Sequence, residues 1–181
     1  MNLNEIFSTK EREKILYYIL DNPEIKITVK RLSKELKLSK GLISQYLRLL
    51  ERNKIIMKDK KYRVNMQNPL TKGLKIISNL NKIDIEKFKR IDGLLGVGLY
   101  GSWAKGTNRK YSDVDIWVKV KKYPSDERVA ETAANLRESI GKVKILILHP
   151  ARIERLKKED PIFYHSLVFG SIILLGERLE V

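Results

Sequence analysis

Leu94-Leu-Gly-Val-Gly-Leu-Tyr-Gly-Ser-Trp-Ala-Lys-Gly-Thr-Asn-Arg-Lys-Tyr-Ser-Asp-Val-Asp-Ile-Trp-Val118 is the stretch whose reading decides the fold. Leu94 to Tyr100 form an apolar run suited to a buried strand. Gly101-Ser102 turns it into a small-residue helix, and Asp113 to Val118 reads as a second strand. Side chains alternate along a strand, so Asp113 and Asp115 share one face while Val114 and Ile116 enter the packing on the other. Two carboxylates on one face repel unless positive charge lies between them, and Mg²⁺ (or Mn²⁺) with waters and substrate phosphates is the usual solution. Gly101 lets the backbone approach a polyphosphate closely, and the Ser102 N–H and hydroxyl can donate to it. Lys105, Arg109 and Lys110 add positive charge nearby. The stretch predicts a nucleotide and metal site, with Asp113 and Asp115 holding a divalent metal.

Gly101-Ser102, Ala104-Lys105-Gly106 and Ser112-Asp113-Val114-Asp115, in that order and spacing, resemble the signature of the polymerase-beta-like nucleotidyltransferase superfamily, especially its small prokaryotic members. The resemblance implies that Ser102 holds the triphosphate and that Asp113 and Asp115 are the catalytic, metal-holding carboxylates. It also implies a third carboxylate on a following strand. The candidate strand is Lys142-Val-Lys-Ile-Leu-Ile-Leu148, which puts Lys144 at that position. A lysine there can pair with Asp113 or Asp115 and partly substitute for a cation, supporting the fold while weakening two-metal catalysis. His149, directly after the strand, is a further candidate base or ligand.

Toward the N-terminus, three amphipathic helices precede a basic hairpin. Ile15, Leu16, Ile19 and Leu20 recur at helical spacing in a helix from Lys10 to Leu20, which Asp21-Asn22-Pro23 stops. Val29, Leu32 and Leu36 suggest a second helix. Ser39 is an N-cap candidate for a third, Lys40 to about Arg52, burying Leu42, Ile43, Tyr46, Leu47 and Leu50. Its other face shows Lys40, Ser44, Gln45 and Arg48, residue types that donate to base edges and phosphates in a major groove. Ile55 to Val64 alternates around Asp59-Lys60, a wing with Lys58, Lys60, Lys61 and Arg63 to meet phosphate. Residues 5 to 65 therefore resemble the winged helix-turn-helix domains of prokaryotic transcription regulators, which implies double-stranded DNA as a partner. Such domains often read paired half-sites, which points to a homodimer.

Charge follows the same division. Residues 1 to 65 hold 16 Lys and Arg against 8 Asp and Glu, residues 66 to 112 hold 9 against 3, and the remainder holds 12 against 11. The net +15 of the 181-residue chain is thus concentrated in its first 112 residues, an electrostatic footprint for polyanions. The absence of cysteine excludes disulfides and thiolate metal sites and fits a reducing cytoplasm. No apolar run approaches the roughly 20 residues of a membrane span, so no membrane partner is expected.

The expected architecture is mixed α+β and α/β. A winged helix of three helices plus a β-hairpin occupies residues 1–68. A minimal nucleotidyltransferase-like domain, a mixed sheet covered by helices, occupies 69–181, with a helical linker at about 69–90. In that second domain Ser125 to Ile140 reads as a helix ended by Gly141, and Val143 to Leu148 as a strand. Ala151 to Lys158 reads as helical, and Ile162 to Leu175 ends in an apolar strand or buried tail.

Three functions fit. One is a DNA-binding transcriptional regulator whose second domain binds nucleotide with an incomplete carboxylate set. Another is an active metal-dependent transferase moving a nucleoside monophosphate to a hydroxyl on protein, nucleic acid or a small molecule. In the small relatives that acceptor is sometimes a partner toxin, so the resemblance also implies an antitoxin-like role. The third is a non-catalytic adaptor.

Overall fold

The computed structural model describes residues 3–180 and divides into two compact units, Met1–Ser78 and Asn79–Val181. In the first unit a short helix α1 (Leu3–Ile6), absent from the sequence reading, precedes α2 (Lys10–Asp21). Ile6 of α1 is fully buried, and its carbonyl accepts the Tyr46 hydroxyl at 3.0 Å. The Thr9 side chain caps α2 by accepting from the Arg12 N–H, and Thr28 does the same for α3 (Val29–Leu36) with Arg31. These bonds satisfy backbone donors that a helix start leaves open. Lys37 then turns the chain with a left-handed φ of 55°, and Ser39 caps α4 (Lys40–Arg52) through the Leu42 N–H at 3.3 Å.

Helix α4 buries Ile43, Tyr46, Leu47 and Leu50, as expected, but leaves Leu42 half-exposed and buries Leu49 instead. The two leucines lie about two turns apart on one flank of α4, a flank open in the first turn and closed near the end of the helix. Strands β1 (Ile56–Lys58) and β2 (Tyr62–Val64) pair antiparallel, Ile56 opposite Val64 and Lys58 opposite Tyr62, and Ile27 adds a bridge to Tyr62. Helix α5 (Pro69–Leu80) contributes Leu70 and Leu74 to this first core, and buried Lys75 donates to the Leu20 carbonyl at 2.6 Å. That packing carries the first unit past residue 68, to Ser78 within α5.

The second unit continues through a 3-10 helix (Ile85–Arg90), β3 (Leu94–Tyr100), α6 (Gly101–Ala104), β4 (Val114–Val120), α7 (Asp126–Ile140), β5 (Val143–Leu148), α8 (Pro150–Glu159), α9 (Pro161–Gly170) and β6 (Ile172–Gly176). Its sheet has the order β5-β4-β3-β6; β3 runs antiparallel to β4 and β6, whereas β4 and β5 are parallel and joined through α7. A parallel pair needs such a crossover. The apolar stretch from Ile162 resolves into α9 and β6.

Strand β4 is apolar on both faces. Val114, Ile116, Val118 and Val120 pack with Leu136 of α7 and Phe88, while Trp117 packs on the opposite face with Leu148 and Leu167. The Trp117 indole donates to Ser171 Oγ at 2.8 Å, so its one polar atom is satisfied in the core. Gly98 of β3 is the floor for that ring; a Cβ there would collide with the indole.

Candidate functional site

Asp113 is the residue immediately before β4, and Asp115 is the second residue within it. Tyr100 pairs with Asp115 across β3 and β4, and Asp115 pairs with Lys144 across β4 and β5. Paired residues project to the same face, so Tyr100, Asp115 and Lys144 form one row across three strands.

The Gly101 turn closes on this row. Its φ is +70°, and a Cβ at that position would lie 2.6 Å from Asp115 Oδ2. Glycine is therefore needed both for the left-handed backbone and for the carboxylate that packs against it. Ser102 follows in α6, half-buried, with its carbonyl accepting from the Thr107 N–H at 2.9 Å. The expected helix after the turn is a single four-residue piece, because the chain leaves it at Gly106, whose φ is +63°.

A buried amide pair anchors the loop from α6 to β4. Asn79 donates to the Trp103 carbonyl and to Asn108 Oδ1, both at 2.9 Å, and Asn108 returns a bond to Asn79 at 3.3 Å. Lys105, Arg109 and Lys110 are exposed on this loop. The Arg109 N–H donates to Ser112 Oγ at 2.9 Å, and the Lys110 ammonium stands 5.6 Å from the centre of the Tyr111 ring.

Asp113 is held instead by the neighbouring strand. Lys144 Nζ lies 2.6 Å from Asp113 Oδ2, and Lys142 Nζ lies 3.5 Å from Oδ1. The Lys144 hydrogen bond, with help from the Lys142 charge, keeps the Asp113 carboxyl below its ordinary pKa. The same pair raises Lys144 above the usual ammonium value. Asp115 is shifted upward: burial dominates, and the Asp113 charge adds to it against the lowering effect of Lys144. Burial also raises the Tyr100 phenol, with Asp115 adding and Arg152 opposing.

The donor chemistry decides what cation this site suits. Among the described residues no group of three or more His, Cys, Asp or Glu side chains comes together. Asp113 already carries an ammonium on each oxygen, and two lysines beside two aspartates bring the local formal charge to zero. This set does not fit a two-metal centre, which needs several anionic ligands to hold adjacent dications. His149 sits beyond the other end of β5, where Leu148 pairs with Lys119, and its ring meets Tyr123 edge-on at 5.9 Å. It does not join the aspartates.

Lys142, Tyr100 and Arg152 were not visible as site residues in the sequence. The β3–β4 register brings in Tyr100, and Lys142 stands immediately before β5, where its carbonyl accepts from the Val114 N–H at 2.8 Å. Arg152 reaches Tyr100 electrostatically from α8, and its buried Nε has no hydrogen-bond partner among the described residues.

In the first unit Lys40, Gln45 and Arg48 are exposed along α4, with Ser44 half-buried, and Lys58, Lys60, Lys61 and Arg63 are exposed on the hairpin. The Lys58 ammonium stacks 5.5 Å from the Tyr62 ring centre, and Tyr62 donates to Glu51 Oε2 at 3.2 Å, which ties the wing to the end of α4. A surface hollow of about 460 Å³ lies along the wing, lined by Lys26, Lys60, Lys61 and Arg63 among others. Lys26, next to the Ile27 bridge, is the basic residue that sequence reading missed there.

Comparison with known proteins agrees with both units. Residues 81–175 match the family described as polymerase beta, nucleotidyltransferase, and residues 12–57 match winged helix-turn-helix DNA-binding domains. No curated protein matches the chain. Among solved structures, it is similar to a chain in a toxin-antitoxin crystal structure with AMP-PNP, at 25% identity over 55% of this chain and 74% of that one, with a TM-score of 0.42. It is also similar to a chain in the complex of tri-AMPylated Shewanella oneidensis HEPN toxin with MNT antitoxin, at 21% identity over 56% and 73%, with a TM-score of 0.38. Among the described residues no helix is long and apolar enough to cross a membrane. With more than half its length matched, the chain belongs to the polymerase beta nucleotidyltransferase family, and it carries a winged helix-turn-helix domain ahead of that fold.

Proposed function

We propose that this protein is a DNA-binding transcriptional regulator whose nucleotidyltransferase-fold domain binds a nucleoside triphosphate as a signal. The observation that carries the reading is the 2.6 Å pair between Lys144 and Asp113. It sets an ammonium against a carboxylate where transfer chemistry calls for anionic metal ligands. In this reading Gly101 and Ser102 cradle the phosphates, Lys105, Arg109 and Lys110 approach them from the loop, and Asp113 orients Lys142 and Lys144. Lys40, Ser44, Gln45 and Arg48 read the major groove while Lys58, Lys60, Lys61 and Arg63 hold the backbone, as a homodimer on paired half-sites.

DNA binding is tested by salt-dependent affinity measurements. Arg48→Ala should lower affinity, and Lys61→Ala should reduce the salt slope by about one. Unchanged binding by both variants sinks the regulator reading. Adding triphosphate should shift DNA affinity in the wild type and leave it unshifted in a Ser102→Trp variant whose site is blocked.

A second reading, active nucleotidyl transfer, is favoured by the closeness of Gly101 to Asp115, which leaves that carboxylate facing the turn. Asp113 and Asp115 would then hold Mg²⁺ or Mn²⁺, which would supply Lewis-acid stabilisation at the phosphate, and the acceptor would be a hydroxyl on protein, nucleic acid or a small molecule. Incubation with each α-labelled triphosphate and either metal separates the two readings. Pyrophosphate release that disappears in the Asp113→Asn, Asp115→Asn double variant establishes the transferase.

A further inference from the structure

We infer that the nucleotide site takes its polyphosphate without a divalent cation, with Lys144 and Lys142 supplying the positive charge. This rests on the nucleotide-binding reading above and says how that site is charged.

Lys144 is placed by strand pairing. Its register partner is Asp115, and the Asp115 carboxylate is the one packed against the Gly101 turn. Lys144 is therefore on the same face as the segment that would receive the phosphates, across Asp115 from it. Its side chain is 59% exposed and spends one contact on Asp113, so further N–H donors of its three remain for an incoming anion. Lys142, 69% exposed, flanks the other oxygen of the same carboxylate.

A divalent ion faces the opposite situation. To use Asp113 it must compete with the ammonium groups on both oxygens of that carboxylate, and the two like charges stay tethered nearby. Hard cations need carboxylate oxygens to offset their dehydration, and of the two aspartates Asp113 already carries an ammonium on each oxygen. An anion must share the lysines with Asp113 and pass the Asp115 carboxylate, but the two aspartates are offset by two lysines, so its charge is met by the N–H donors of Lys144 and Lys142, with the loop lysines adding to the field.

The test is equilibrium binding of each of the four ribonucleoside triphosphates to the full chain, in EDTA and in excess Mg²⁺ or Mn²⁺, for the wild type, Lys144→Gln, Lys144→Arg and Lys144→Asp. The wild type should bind in EDTA. Lys144→Gln should bind about tenfold more weakly there, as expected for loss of one charge-assisted contact, and Lys144→Arg should keep most of the affinity. Lys144→Asp should bind only with the metal. Wild-type binding that requires a divalent ion, or an unchanged affinity of Lys144→Gln in EDTA, overturns the inference while leaving nucleotide binding intact. No binding of any triphosphate under either condition overturns the nucleotide-binding reading itself. Thermal unfolding of each variant separates lost contacts from lost fold.

Discussion

The two carboxylates beside Lys144 shift in opposite directions, Asp113 lowered by the Lys144 hydrogen bond and Asp115 raised by burial, and their titration is the most direct readout of the site. Asp113, held low by the Lys144 hydrogen bond, contributes stability that is present above the ordinary carboxylate pKa and is lost as pH falls through its own lower value. Asp115, raised by burial, favours folding in its acid form and loses that contribution as pH rises through its folded value. Carboxyl-detected NMR titration should find Asp113 below and Asp115 above the usual range. Lys144→Gln should move both upward, because Lys144 lowers both; a downward shift of Asp115 would contradict the charge assignment. Gly101→Ala tests the turn at the same scale. A left-handed non-glycine backbone costs about 1–2 kcal/mol, and the new methyl also meets Asp115. Urea denaturation should show at least that loss, and an unchanged midpoint would mean the turn relaxes.

The elements repeat a common device, a side chain that ends or begins a helix at a defined residue. Thr9, Thr28, Ser39 and Ser125 all cap helices through their hydroxyls. The turn into α4 carries strain that a substitution can relieve: Lys37 holds φ at 55°, so Lys37→Gly should stabilise the first unit by roughly 0.5–1 kcal/mol in chemical denaturation. A loss of stability would show that the Lys37 side chain matters more than its backbone. Hydroxyl caps and apolar spacing are local, so the limits of α4 and α7 were legible in the sequence. The length of α6 was not, because a left-handed Gly106 ends it after one turn. Likewise the burial of Leu49 over Leu42 depends on what closes one flank of α4, which periodicity does not encode.

At the scale of the molecule the apolar residues sort into separate sets, one core in the first unit and two faces of one sheet in the second. Residues 1–80, expressed alone, should therefore unfold cooperatively and retain the salt-dependent DNA binding of the full chain. A broad, uncooperative transition would mean the first core needs the rest of the chain. The basic surplus of residues 1 to 65 belongs to that fragment, so affinity should travel with it. Composition, spacing and turn chemistry determined the winged helix, the strand–turn–helix–strand order from Leu94 to Val118, and the nearness of the Gly101 turn to the Asp113–Asp115 segment, because each is written in neighbouring residues. Tertiary structure alone decided that Lys144 takes Asp113 over Asp115, that Lys142 joins it there, that Tyr100 joins the row, and that His149 stands apart. The place of Tyr100 follows from the β3–β4 register, and those of the lysines and His149 from the β4–β5 register, which a crossover of more than twenty residues sets through packing on α7 and not through any local signal.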